Sequence, residues 1–164
     1  MVGLRWWIAV FAVSAAAWAD GADRPWLDKS LPPDVRADLV AAQMTRDEEL
    51  TLVSGYFGVY NPRVPAQYKN DMPKGAGYVP GIPRLGIPAL KESDASLGVA
   101  NGGHMRKDDT AVALPSSLMT AATWNPRLAY QGGAMIGAEA RNKGFNVLLA
   151  GGINLTREPR GGRT

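Results

Sequence analysis

Cysteine is absent from all 164 residues. No disulfide framework, thiol nucleophile or thiolate metal site is therefore available, and the folded chain must be held by its core. Histidine occurs once, at His104, which cannot build a His-rich metal centre alone and leaves no Ser-His-Asp set to assemble. The glycine pairs at 102–103, 132–133 and 151–152 do not fit a G-x-G-x-x-G pattern, so no dinucleotide site is indicated. Dense basic stripes are missing too. The 18 Lys and Arg are scattered among 15 Asp and Glu for a net charge of +3, which gives no nucleic-acid footprint. No apolar run reaches the ~20 residues a membrane span needs. Neither a cofactor nor a metal is expected.

What is present begins with an export pattern. Met1–Arg5 is a short basic start, Trp6–Ala16 is apolar and uncharged, and Ala17-Trp18-Ala19 is an A-x-A site before Asp20. That order predicts a signal peptide over 1–19 and a periplasmic or secreted product without a membrane anchor after cleavage. Removing it leaves 145 of the 164 residues, about one domain, at a net charge of +2 once Arg5 is gone.

Residues 20–33 are polar and proline-rich and read as an extended lead-in. Asp34–Met44 places Val35, Leu39 and Ala42 on one helical side, and Thr45 with Glu48 forms a capping box opening a second helix that Gly55 can close. Tyr56–Pro88 is rich in proline, glycine and tyrosine, and its aromatics favour a loop over a cleft rather than a flexible linker. Ile87–Asp94 reads as a short strand ending in an acid, and Thr110–Ser117 as a second apolar run stopped by Pro115. Asn125-Pro126 supplies an N-cap and a first-turn proline for a helix carrying Leu128, Gly132, Met135, Ile136 and Ala140, which Gly144 stops. "FNVLLAGGIN" then reads as a strand buried on both faces, as in a parallel sheet.

Strand, strand, helix, strand is α/β grammar, fitting a TIM-type barrel or an open doubly wound sheet. In both, function gathers at the C-terminal strand ends. Asp94 and Arg157 each follow a strand end. A carboxylate can accept from two adjacent sugar hydroxyls, and a guanidinium offers five donors in a flat fork. Together they suit a polyhydroxyl ligand; equally, Asp94 could cap its turn and Arg157 could make a structural ion pair. Glu92 and Glu158 read as salt-bridge partners of nearby arginines before they read as catalytic groups. Asp108-Asp109 with Arg106-Lys107 reads as a solvated loop, His104 as a loop residue, and the sequon at Asn154 as unmodified.

Three stretches carry a resemblance. "GYVPGIPRLGIPALKESDASLGVAN" holds a GIPRLGIP lead-in at 81–88 and a D-x-x-x-G turn at Asp94–Gly98. "LPSSLMTAATWNPRLAYQGGAMIGAEARNKGFNVLLAGGINLTREPRGGR" contains N-x-x-R-x-P-x-x-G-R at Asn154–Arg163, and "VRADLVAAQMTRDEELTLVSG" is a helix pair. In this order they resemble the opening of glycoside hydrolase family 3, which includes many β-glucosidases. The resemblance implies the N-terminal part of a TIM-like (β/α)8 barrel over 34–164, incomplete in this chain because such a barrel takes ~250 residues. The last strand, 146–150, would then keep an open edge. It also implies retaining hydrolysis of terminal non-reducing β-D-glucosyl residues by two carboxyl groups about 5–5.5 Å apart. By motif, Asp94 and Arg157 would bind the innermost glucose of a β-linked oligosaccharide or glucoside, and Arg163 would be structural. The family's Lys-His pair, nucleophilic aspartate and acid/base glutamate fall beyond Thr164, so the chain alone should be inactive. "DASLG" departs from the common Asp-Gly-Pro, and Gly161 replaces a larger residue. The alternatives are a non-catalytic glycan-binding protein, or a β-xylosidase or β-N-acetylhexosaminidase of the same family.

Overall fold

Two proline-led segments open the structure. A computed structural model describes residues 24–58, 64–151 and 160. The expected signal segment lies outside the described residues, which divide after Gln43 into two units. In the first, Pro25–Leu27 forms one turn and Pro33–Ala41 forms α1, with Asp34 in the first turn favouring the helix dipole. Arg36 Nε donates to the Trp26 carbonyl at 2.7 Å, tying helix to turn around the buried indole. The helix stops at Ala41, short of the expected Met44, and Val35 on its apolar side is 43% exposed.

The second unit starts with the capping box as expected. Thr45 Oγ1 accepts from the Glu48 amide at 3.3 Å, and Glu48 Oε2 accepts from the Thr45 amide at 2.9 Å, opening α2 at Arg46–Val53. Gly55 does not close this helix in a left-handed turn. Ser54 is extended, and the chain passes directly into β1 at Tyr56–Phe57. A Cβ at Gly55 would make an ordinary contact, 3.4 Å from Val79 Cγ2.

Strands β2 (Gly77–Val79) and β3 (Leu90–Asp94) continue the sheet, and β4 (Val147–Leu149) completes the order β1-β2-β3-β4. The first two pairings are antiparallel, while β3 and β4 are parallel, with Glu92, Ser93 and Asp94 opposite Val147, Leu148 and Leu149. The proline- and glycine-rich stretch is organised by tyrosines. Tyr68 lies between Tyr56 and Tyr78, with ring centroids 6.2 and 6.1 Å apart, a separation at which tilted rings attract.

Between the parallel strands runs α4, Pro126–Asn142, preceded by the short α3, Ser117–Ala122. Asn125 caps α4 through Oδ1, which accepts from the Leu128 amide at 3.1 Å, and Gly144 follows it at φ +87°. Its buried residues Ile136 and Ala140 join Ala95, Val99 and Phe145 in the core, flanked by Leu114, Met135 and Leu148.

Two expectations are corrected. Thr110–Ser117 is not a strand: Pro115 removes a ladder donor, and the Leu114 amide instead bonds the Leu97 carbonyl at 2.6 Å. Nor is the last strand buried on both faces, since Leu149 is 49% exposed and Asn146 uses its amide as a polar staple. Asn146 Nδ2 donates to the Ala89 carbonyl at 2.8 Å, and its Oδ1 accepts from the Lys91 amide at 2.7 Å. An apolar run marks a buried strand only where a second layer covers it, and among the described residues β4 is half-covered.

Candidate functional site

The C-terminal end of β3 carries Asp94. Ser93 before it is fully buried, and its hydroxyl donates to the Asp94 carbonyl at 3.0 Å. The Ala100 amide donates to the same carbonyl at 2.8 Å. Main chain thus closes the Asp94–Ala100 turn, and the carboxylate is not its cap. That side chain is exposed and has no hydrogen-bond or ion-pair partner among the described residues. It opens on a shallow groove of about 480 Å³ that Gly98, Val99 and Val112 help to line. Gly98 is required there: its φ is +155°, and a Cβ would lie 2.5 Å from the Val112 carbonyl oxygen.

Parallel pairing sets Asp94 opposite Leu149, so the chain leaves β4 through Ala150 and Gly151 at the same sheet end as the carboxylate. Arg157 and the rest of Asn154–Pro159 lie outside the described residues, as do Glu158 and Arg163; Arg160 is an exposed turn residue. Glu92 has no ion pair among the described residues, and its side chain fills the space beside Gly77, where a Cβ would meet Oε2 at 2.3 Å. Among the described residues it forms no salt bridge to an arginine.

The larger departure concerns the loop after Asp94. Arg106 and Asp109 are not a solvated pair; their side chains are 13% and 17% exposed. Arg106 Nε donates to Asp109, Nη2 to the Ala100 carbonyl and Nη1 to the Lys74 carbonyl, and the guanidinium lies 5.0 Å from the centre of the Phe145 ring. Asp109 also receives Lys143 Nζ from the end of α4. Lys143, then Arg106, hold the Asp109 carboxyl below the usual carboxylate range. Asn101 fastens the loop from inside, its Nδ2 donating to the Arg106 and Asp109 carbonyls at 2.8 and 3.2 Å. Sequence reading missed this because Lys143 is 34 residues from Asp109 and no local pattern joins them.

Among the described residues no three His, Cys, Asp or Glu gather as metal ligands, and no helix is long and apolar enough to cross a membrane. The arrangement at Asp94 offers a hydrogen-bond acceptor on a strand end, beside an apolar-lined groove and with no charge partner among the described residues.

Comparison with known proteins supplies the class. Probable β-glucosidase F of Aspergillus flavus is 35% identical over 139 residues, covering 84% of this chain and 14% of the relative. Probable β-glucosidase F of Emericella nidulans is 36% identical over 129 residues, covering 78% and 13%. The β-glucosidase BoGH3A of Bacteroides ovatus is 34% identical over 145 residues, covering 84% and 17%. No family model matches the chain, and no solved structure matches it significantly. The chain belongs to glycoside hydrolase family 3, as its motifs indicated, and spans 14% of the length of a relative such as the A. flavus protein.

Proposed function

We propose that this chain carries part of the glucose-binding subsite of a family 3 β-glucosidase. The whole protein would hydrolyse terminal non-reducing β-D-glucosyl residues with retention. In this reading Asp94 and Arg157 bind hydroxyls of one glucose at the C-terminal ends of adjacent parallel strands. The strands would be the first part of a TIM-like barrel, in which function sits at that end. The nucleophile and acid/base are supplied by residues outside this sequence, so the chain alone does not hydrolyse glucosides. The leader at 1–19 would export the protein to the periplasm or the medium.

The observation that carries the reading is the exposed Asp94 carboxylate, without a partner among the described residues, at a parallel strand end, with the segment toward Arg157 leaving from the same end. The experiment has two arms. The purified chain is assayed with an aryl β-glucoside, where no release above buffer is expected; turnover abolished by Asp94→Ala would place complete chemistry inside these residues and overturn the reading. Methyl β-glucoside is then titrated by NMR. Shifts are expected around Asp94 and Gly98 that Asp94→Ala removes, and shifts unchanged in that variant remove Asp94 from the subsite.

A further inference from the structure

A second hollow, of about 480 Å³, is lined in part by the loop that follows Asp94. Lys69, Lys74, Lys107 and His104 line it around a floor of Met72 and Met105. No carboxylate lines it, and none of the three lysines has an ion-pair partner among the described residues. Of the acids nearest these lysines in sequence, Asp108 beside Lys107 is exposed and is not among the described residues that line the hollow, while Asp71 and Asp109 are engaged elsewhere. Asp71 is held by Lys91 and by the Tyr78 hydroxyl at 2.8 Å, and Asp109 by Arg106 and Lys143. Three lysines therefore line one concavity with no carboxylate among its described lining residues.

The walls are fixed rather than loose. Arg106 ties the Lys74 carbonyl on one wall to the Ala100 carbonyl at the root of the other. Asn101 closes the loop carrying His104, Met105 and Lys107, and the Met72 amide bonds the Tyr68 carbonyl at 3.0 Å on the facing side. His104 is held at φ +52°, a conformation uncommon for a non-glycine residue, at the rim. Immobilised walls reduce the ordering cost of binding.

We propose that this hollow binds a small organic oxyanion, a phosphate, sulfate or carboxylate joined to an apolar body. The lysines would hold the oxyanion by charge-assisted hydrogen bonds, the His104 ring would add a donor, and the two methionine side chains would take the apolar portion against their adaptable surface. The proposal does not depend on the glucoside reading, since it uses neither Asp94 nor any residue after Gly151.

The test uses the full chain with three small molecules: inorganic phosphate, phenyl phosphate and phenol. Saturable binding is measured by calorimetry and located by NMR shift changes. Phenyl phosphate is expected to bind more tightly than phosphate, and phenol not measurably. Raising the salt to about 0.5 M should weaken both phosphates. Lys74→Gln with Lys107→Gln should lower affinity about tenfold or more, since each charge-assisted bond is worth about that factor. Arg127→Gln, on α4 and not among the residues that line the hollow, should leave affinity unchanged. Both lysine sites are exposed, and far-UV circular dichroism confirms that the variants stay folded. No saturation with either phosphate, equal affinity in the double variant, or shifts confined to other residues would each overturn the proposal.

Discussion

Asp109→Asn tests the loop architecture directly, because the amide keeps the shape of the side chain and removes its charge. Asp109 accepts from both Arg106 and Lys143, and its side chain is 17% exposed. A hydrogen bond to a charged partner contributes ~1.5–3 kcal/mol, so two give at most ~6. The remaining amide oxygen still accepts one bond, and partial exposure screens the charges, which brings the expected loss to ~2–3 kcal/mol. With a urea m-value of ~1–3 kcal/mol/M, the midpoint should fall by about 0.7–3 M. Asp108→Asn is the control. Asp108 is adjacent, exposed and at φ +57°, a conformation asparagine tolerates, so its midpoint should move by less than ~0.5 kcal/mol equivalent. A pH series adds a second reading. Lys143 and Arg106 depress the Asp109 pKa, so its contribution is full above the unfolded value near 3.8 and is lost as pH falls through the lower folded value. The gap between wild type and Asp109→Asn should therefore be constant near neutrality and close only below about pH 4. Equal midpoints for Asp108→Asn and Asp109→Asn, or a gap closing near neutrality, refute the reasoning.

Other substitutions probe separate parts of the unit. Arg84, with the Thr45 amide, lowers the Glu48 pKa from 4.5 to about 2, so Glu48 stabilises the fold above pH 4.5 and loses this as pH falls toward 2; Glu48→Gln should flatten that acid limb in a urea–pH series, and an NMR titration midpoint for Glu48 near 4.5 would contradict the pairing. Phe145→Ala removes a buried ring and the face under the Arg106 guanidinium, with an expected cost of ~3–5 kcal/mol in chemical denaturation. Gly144→Ala meets open space at φ +87° and should cost ~1–2 kcal/mol, whereas Gly98→Ala must also displace the Val112 carbonyl and should cost more; the reverse order of melting temperatures would contradict the groove geometry.

Elements whose signals are local were legible in the sequence. The Thr45–Glu48 box and the Asn125-Pro126 start act within one helical turn, and both appear in place. The parallel partnership of the strands around α4 also followed from element order. What failed depended on distant atoms. Gly55 looked like a helix stop, yet the chain runs on from the extended Ser54 straight into β1 beside β2. Thr110–Ser117 is apolar enough for a strand, but with Pro115 inside it and a single main-chain tie to Leu97 it stays irregular. The charged loop looked solvated because exposure cannot be read from Arg-Lys-Asp-Asp alone; it is set by Lys143 and Phe145 arriving from the far end of α4.

For Asp94 the sequence left two roles open, turn cap or ligand acceptor, and the difference between them lies in which atom closes the turn. An aspartate that caps spends its carboxylate on a backbone amide and has little left for a ligand. Here the Ala100 amide goes to the Asp94 carbonyl, and Ser93 adds a second donor to the same oxygen. Arg106 then takes the Ala100 carbonyl, so the turn is fixed from both sides of one residue without the carboxylate. An exposed charge that no described residue pairs, and that the turn does not use, can be aimed at something external without loss to the turn. Asp94→Asn should therefore leave the urea midpoint within ~0.5 kcal/mol equivalent, the level of an ordinary surface change. A loss several times larger would return Asp94 to a structural role and remove the ground for placing a sugar there.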